Sequence, residues 1–285
     1  MTMATAAILQ NWSLEGRNYV VTGGAKGIGL ATVQALLAHG AHTVFFCSRS
    51  PAVELVASLQ KEYCQQTISA GEPQTVVHVA CDLSTPEGRV SLVHAVKEHL
   101  VTNSLHGLVN NVGVNIRQSM VEQTADEYHT IFRTNVDSAY FLSKLFLELF
   151  DTSGGAGATI VNVSSAAGVQ SSGTGIAYGM SKAAVNQLTR SLACEWASRN
   201  IRVNAVTPWM TMTPMLQAAV EKNPAQLDKV QAWTPLHRLA NASEIAGPIV
   251  FLCMPASSYI TGQVLGIDGG LTAQGFDGPC VTPES

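Results

Sequence analysis

Charge is scarce in this chain of 285 residues: 13% are Asp, Glu, Lys or Arg, and no block of lysine and arginine occurs that could neutralise a run of phosphates. With 16 basic against 20 acidic residues the net charge is −4, which argues against a nucleic-acid partner. No apolar run approaches the ~20 residues that cross a bilayer, and no charged segment precedes an apolar stretch at the amino terminus. No membrane association and no secretory signal are therefore expected. Six cysteines (Cys47, Cys64, Cys81, Cys194, Cys253, Cys280) are too few for a disulfide scaffold and none form a C-x-x-C pair, which fits reduced thiols in a cytoplasmic protein. Eight histidines lack H-E-x-x-H or paired metal spacing, and no metal is expected.

What is present is apolar sequence, 46% of the chain, arranged as short β-branched runs that alternate with helix-like spacing. Arg17 to Thr22 predicts a strand, then a glycine-rich turn and a helix from Ile28 to Leu37. The rhythm recurs through Thr43–Cys47, a helix with Leu55 and Leu59, Thr75–Cys81, a helix with Val90 and Val96, and Gly107–Asn110. Longer helices are expected near Ala125–Phe150 and Ala177–Arg199, with strands at Ala158–Val163, Arg202–Val206 and Gln263–Ile267. Strands alternating with helices imply parallel pairing, and continuous apolar strands suit a sheet covered on both faces. The expected fold is α/β: a single-domain, doubly wound Rossmann fold with a seven-stranded parallel sheet over residues 12–276. Residues 1–11 show no pattern and read as a flexible segment, and 277–285 read as a flexible tail. Residues 209–234 break the rhythm between the sixth and seventh strands, as a lid over a substrate would.

Thr22-Gly23-Gly24-Ala25-Lys26-Gly27-Ile28-Gly29 falls where the first strand becomes the first helix, so its backbone can approach a pyrophosphate at the helix amino terminus. An acid at the end of the second strand would accept hydrogen bonds from a ribose 2′-hydroxyl and repel a 2′-phosphate. Here that strand ends Cys47-Ser48-Arg49, and Lys26 adds a second cation, which favours NADP(H) over NAD(H). The T-G-x-x-x-G-x-G spacing resembles the short-chain dehydrogenase/reductase family, and the resemblance runs from about Leu14 to Phe276. It implies a cofactor site of Gly23, Lys26, Gly27, Ile28, Gly29, Ser48 and Arg49. Asp82 and Leu83 would lie at the adenine, with Ser84 equally able to cap the next helix. In Asn110-Asn111-Val112-Gly113, similar to the family's N-N-A-G, Asn111 and Gly113 shape the turn, while Val112 stands where alanine is usual and crowds the adenine ribose.

Ser165, Tyr178 and Lys182 form S-x12-Y-x3-K, which sets the tyrosine and lysine one turn apart on a helix face. An ammonium beside a phenol is expected to bring its pKa down from ~10 toward neutrality. The family resemblance implies that Tyr178 is the general acid in reduction, that Ser165 binds the substrate carbonyl, and that Lys182 also holds the nicotinamide ribose. It further implies that Asn135 positions a water for a proton relay. Ser165, thirteen residues before Tyr178, is preferred to Ser164 on that spacing; neighbours on a strand point to opposite sides.

After the sixth strand the family commonly reads P-G followed by a threonine, whereas this chain reads Pro208-Trp209-Met210-Thr211-Met212-Thr213. Pro208 and Thr213 remain as cofactor contacts, with Thr213 at the nicotinamide carboxamide. Trp209 is expected either to narrow the substrate pocket or to pack under the lid. Met212 and Met215, with Gln170 and Ile176 at its border, suggest an apolar or amphiphilic carbonyl substrate. Trp12 to Gly16, Cys47-Ser48-Arg49, Tyr259 to Gln263 and Asp268 to Leu271 resemble tropinone-reductase-like members, implying an NADPH-dependent ketone reductase. Reduction of a 3-oxoacyl group on a carrier protein is the alternative, with Arg117 and Arg133 as candidates for a basic patch. A non-catalytic NADP-binding regulatory or scaffold protein is the reading from another class. The resemblance also implies a homodimer or homotetramer built on the two long helices.

Overall fold

The computed structural model describes residues 3–64, 73–100, 104–222 and 226–275. In chain order the elements are α1 (Met3–Gln10), β1 (Asn18–Val21), α2 (Gly27–Ala38), β2 (Thr43–Ser48), α3 (Val53–Tyr63), β3 (Thr75–Ala80), α4 (Pro86–His99) and β4 (Gly107–Asn110). There follow α5 (Ala125–Phe132), a π-helical turn (Arg133–Asp137), α6 (Ser138–Leu145), β5 (Ala158–Val163), α7 (Ile176–Glu195), β6 (Ile201–Pro208) and β7 (Thr211–Met212). The chain then runs through α8 (Pro214–Lys222), α9 (Gln226–Trp233), β8 (Ala240–Asn241), α10 (Ala242–Cys253) and β9 (Val264–Ile267).

Seven strands make one parallel sheet in the order β3-β2-β1-β4-β5-β6-β9. Alternation along each strand assigns its side chains to two layers. Tyr19, Val21, Val44 and Phe46 face α2 and α10, against Val33, Leu36, Ile245 and Ile249. Val20, Phe45, Leu108 and Ile160 face the other way, against Leu92 and Val96 of α4, Leu142 of α6 and Leu192 of α7. Burial on both faces explains why these strands read as unbroken apolar runs, and each fully buried Leu, Ile, Val or Phe contributes about 1.5–3 kcal/mol. The order reverses between β1 and β4, whose outgoing chains leave for opposite faces. A crevice therefore opens beyond the carboxyl ends of these strands.

Two expectations need correction. Residues 1–11 are not patternless, because Met3–Gln10 is helical; its run MATAAILQ is rich in strong helix formers. The Asn11 carbonyl then accepts the Ala256 amide (2.9 Å), and Trp12 stacks on Phe251. Ser84 does not cap α4: Thr85 does, its hydroxyl accepting the Gly88 amide (3.1 Å) ahead of Pro86 in the first turn. The excursion at 209–234 holds α8, α9 and a strand too short for periodicity to reveal, β7, which pairs in parallel with β8. The expected tail at 277–285 lies outside the described residues.

Candidate active site

Four segments meet at the crevice, and side-chain hydrogen bonds tie their ends together. The Thr22 hydroxyl, just past β1, accepts the amides of Asn111 (2.9 Å) and Val112 (3.0 Å) and donates to the Val109 carbonyl (3.3 Å). In return Asn111 Nδ2 donates to the carbonyls of Thr22 (2.8 Å) and Gly23 (3.2 Å). The glycine turn and the Asn111–Gly113 turn are thus one rigid unit. Val112 packs half-buried on the layer below, a cause for its methyls independent of any ligand.

At the turn, Gly27 has φ +57, a conformation that disfavours side chains, and a Cβ on it would lie 3.3 Å from Thr213 Cγ2. The start of the excursion therefore covers the glycine turn. Lys26 is the N-cap of α2 and makes no side-chain capping bond, so that helix end has no cap of its own. Gly23 and Gly29 sit in the same turn, and Ile28 packs on the apolar layer of α2. Lys26 and Arg49 are exposed. The Ser48 hydroxyl donates to the Ser50 carbonyl (2.8 Å) and meets His78 Nε2 (2.8 Å). Because Ser48 spends its one proton on Ser50, His78 must be the donor, a pairing that no linear motif signals. Asp82 Oδ1 accepts the Ser84 amide (2.9 Å), which holds its pKa below the ordinary value, with a smaller pull from Arg49. Leu83 is buried in the core against β2 and α4, and its carbonyl accepts Arg89 Nη1 (2.9 Å).

The reactive groups gather on α7 and the end of β5. Ser164 is buried and donates to the Lys182 carbonyl (3.0 Å), while Ser165 is half-buried, accepts the Ala167 amide (3.1 Å) and lies close enough to Tyr178 to act on its phenol. Strand alternation thus separates the two serines as spacing anticipates. Lys182 is 4% exposed; its Nζ donates to the Val163 carbonyl (2.8 Å) and lies 5.8 Å from the Tyr178 ring centre. Asn135 sits in the π-helical turn, where the shifted register is a frequent device at functional sites. Its Oδ1 accepts the Val114 amide (2.8 Å), and its Nδ2 donates to the Val114 carbonyl and to Ser181 Oγ (both 3.0 Å). A Cβ on Gly113 would stand 3.3 Å from Lys182 Nζ and 3.5 Å from Asn135 Oδ1. Glycine there leaves the ammonium an open side at the crevice.

The expected tuning of Tyr178 is corrected. Burial pushes the phenol above its ordinary pKa; the Ser165 hydrogen bond and the Arg117 charge oppose that rise, and Lys182 is not among the groups that move it. Burial also lowers Lys182 to about 8. The residues expected at the substrate pocket fall in separate places. Trp209 Nε1 donates to Thr234 Oγ1 (3.1 Å), and Thr234 is buried, so the indole is tied to the base of the excursion. Met212 and Met215 are exposed. Gln170 and Ile176 line a cavity of about 940 Å³ together with Arg117, Ser172 and Thr174. Its wall is more apolar than polar, with Met120, Val169 and Met180 beside the hydroxyls of Ser172 and Thr174. Arg133 is exposed in the π-helical turn and does not line this cavity.

The residues fit a dinucleotide: uncapped amides at α2 with exposed Lys26 beside them, a glycine edge facing Lys182, and one exposed cation, Arg49, after β2 in place of an acid. Lys182 also gives a pH signature. Its pKa is about 8 folded and 10.5 unfolded, so between these values the unfolded chain holds the extra proton and stability rises with pH. Urea denaturation should show the wild type gaining on Lys182→Met between pH 7.5 and about 10. A pH-independent gap between the two proteins would contradict the buried ammonium.

A family profile described as enoyl-(acyl carrier protein) reductase matches residues 23–272. A tropinone reductase homolog of Arabidopsis thaliana is 41% identical over 267 residues, which cover 94% of this chain and 96% of the relative. Pseudomonas aeruginosa RhlG, solved as an active-site complex with NADP, is 31% identical with a TM-score of 0.81, over 92% of this chain and 98% of that one. A short-chain type dehydrogenase/reductase from Mycobacterium ulcerans is 27% identical with a TM-score of 0.81, over 92% of both chains. With the glycine turn, the Ser165–Tyr178–Lys182 cluster and this kinship in agreement, the chain belongs to the short-chain dehydrogenase/reductase family of oxidoreductases.

Proposed function

We propose that this protein is an NADPH-dependent carbonyl reductase that converts the ketone of a small molecule to an alcohol, with Tyr178 as general acid. The observation that carries the reading is the buried Lys182 ammonium 5.8 Å from the Tyr178 ring centre, with the Ser165 hydroxyl close enough to act on the same phenol. NADPH would supply the hydride. Its phosphates would meet the turn from Gly23 to Gly29 and Lys26, and its 2′-phosphate Ser48 and Arg49. Asp82 and Leu83 would border the adenine. Asn111 and Gly113 would border the ribose, and Pro208 and Thr213 the carboxamide.

Ser165 and Tyr178 then hold the ketone oxygen by two hydrogen bonds and stabilise the charge that grows on it. The upward push on Tyr178 keeps the phenol protonated at neutral pH, the state a proton donor needs. Lys182, protonated below about 8, is the reserve from which the phenol is restored. Asn135 pins the Val114 loop to α7 through Ser181 and is the proposed post for the relay water. Trp209, bonded to Thr234 just past the end of α9, would act through the excursion. Tyr140, Phe141, Leu145 and Met180 expose apolar surface on α6 and α7, which supports assembly as a homodimer or homotetramer through these helices. The free cysteines suit the cytoplasm as its place of action.

Two measurements test this reading. NADPH oxidation against a panel of cyclic ketones, diketones, 3-oxoacyl and enoyl thioesters should give turnover of a ketone class. Tyr178→Phe should lower it about 10²–10⁴-fold while NADPH still binds; unchanged turnover in the variant would remove Tyr178 from the chemistry. Arg49→Glu should raise the KM for NADPH about tenfold or more and leave NADH use equal or better, the loss of one charge-assisted phosphate contact. An equal effect on both cofactors would place the 2′-phosphate elsewhere.

A further inference from the structure

A histidine on the neighbouring strand holds the serine that ends β2. His78 is half-buried on β3, in register with Phe46 of β2. Its ring centre lies 4.9 Å from that of Phe46, which floors the glycine turn: a Cβ on Gly24 would stand 2.5 Å from Phe46 Cβ. Two residues further along β2, Ser48 Oγ meets His78 Nε2 at 2.8 Å and donates its proton to the Ser50 carbonyl, also at 2.8 Å. Nε2 is therefore the donor, which leaves Nδ1 as the atom that takes a second proton. The groups around the ring are few. Arg49 follows β2 and Asp82 follows β3, both exposed. On α3, which covers this face of β3, Tyr63 and Cys64 are turned toward the apolar layer, while Glu54, Lys61 and Glu62 are exposed. The helix α2 carries no charged residue, and Lys26 stands at its start. Burial holds the His78 pKa below the ordinary histidine value, so the ring is neutral at pH 7.

Resting on the NADPH reading of this site, we propose that His78 is a positioning residue for the 2′-phosphate: it holds Ser48 as a donor to that group and gains a proton when the phosphate binds, so that preference for NADP(H) over NAD(H) grows as pH falls. With its proton on Ser50, Ser48 shows an incoming phosphate only a lone pair. The hydroxyl can turn that proton to a phosphate oxygen without moving Oγ, because His78 still holds the oxygen in place. A phosphate beside Ser48 favours the imidazolium, and the imidazolium in turn makes a stronger, charge-assisted bond to Ser48. NAD(H), with a hydroxyl at the same position, brings no charge to drive the uptake.

The test is calorimetric titration of NADP⁺ and NAD⁺ into the wild type, His78→Gln and His78→Phe across the range in which a histidine titrates. The 2′-phosphate changes its own protonation at about pH 6, but equally for all three proteins, so the ratio of variant to wild type isolates the ring. His78→Gln keeps a donor toward Ser48 without a charge. It should bind NADP⁺ within about twofold of the wild type at pH ~8 and about three- to tenfold more weakly at pH ~6, the effect of one charge near a phosphate. Its affinity for NAD⁺ should stay within about twofold of the wild type throughout. His78→Phe, which also loses the bond to Ser48, should bind NADP⁺ more weakly at every pH. A ratio for His78→Gln that does not change with pH, or that changes equally for NAD⁺, would overturn the proposal. In the wild type itself, the His78 ring resonances, assigned by their loss in His78→Gln, should titrate at higher pH with NADP⁺ bound than with NAD⁺ bound; identical titrations would overturn it without any variant. A wild type that binds NADP⁺ no more tightly than NAD⁺ removes the NADPH reading and this proposal together, whereas a clear NADP⁺ preference with a flat ratio removes this proposal alone.

Discussion

The organising constraint is an ammonium buried with no carboxylate paired to it among the described residues. Lys182 is 4% exposed, and the contact holding its Nζ is the Val163 carbonyl at 2.8 Å. A lone buried cation is costly, which is why its pKa falls to about 8. The surroundings are arranged to tolerate it. Ser164 fixes the Lys182 backbone to the end of β5, Ser181 joins Asn135, and Gly113 leaves the open side. The charge is held ready in the crevice, where a dinucleotide and a ketone would meet it, and the fold's stability is lower for keeping it there.

Rigidity around that charge comes from polar networks within the apolar layers. Asn110 Nδ2 donates to Asn162 Oδ1 (2.9 Å), and Asn162 Nδ2 donates to Thr189 Oγ1 (2.9 Å), linking β4, β5 and α7 through fully buried groups. Thr22 and Asn111 do the same between β1 and β4. Such bonds are geometrically strict where hydrophobic contact is tolerant, so they set the strand ends on which Ser165 and the glycine turn stand. The excursion beyond β6 is held differently, by the short β7–β8 pair and the Trp209–Thr234 bond, as suits a segment that must admit substrate.

Much of this was legible in the residues. Period and composition located all seven strands of the main sheet to within about two residues, because each is an apolar run bounded by turn signals. Y-x3-K placed Tyr178 and Lys182 on one face because a helix converts that spacing into one turn, while Ser165 comes to them from the end of β5. What escaped depends on contacts distant in sequence. Trp209 finds its partner 25 residues away, Asn135 sits in a π-helical turn that bonds to Val114 and Ser181, and Ser48 meets His78 on the adjacent strand. Tyr178 is the clearest instance: its neighbour Lys182 suggested a depressed pKa, but burial, invisible in a motif, outweighs charge and raises it.

The most direct test of the central claim follows the hydride itself. NADPH deuterated at the transferable position of the nicotinamide, incubated with the protein and a ketone found to react, should give an alcohol carrying one deuterium at the carbinol carbon by mass spectrometry. Little labelled product should form with Tyr178→Phe over the same time. An alcohol without label, or label appearing equally fast in that variant, would contradict carbonyl reduction at the Ser165–Tyr178–Lys182 cluster.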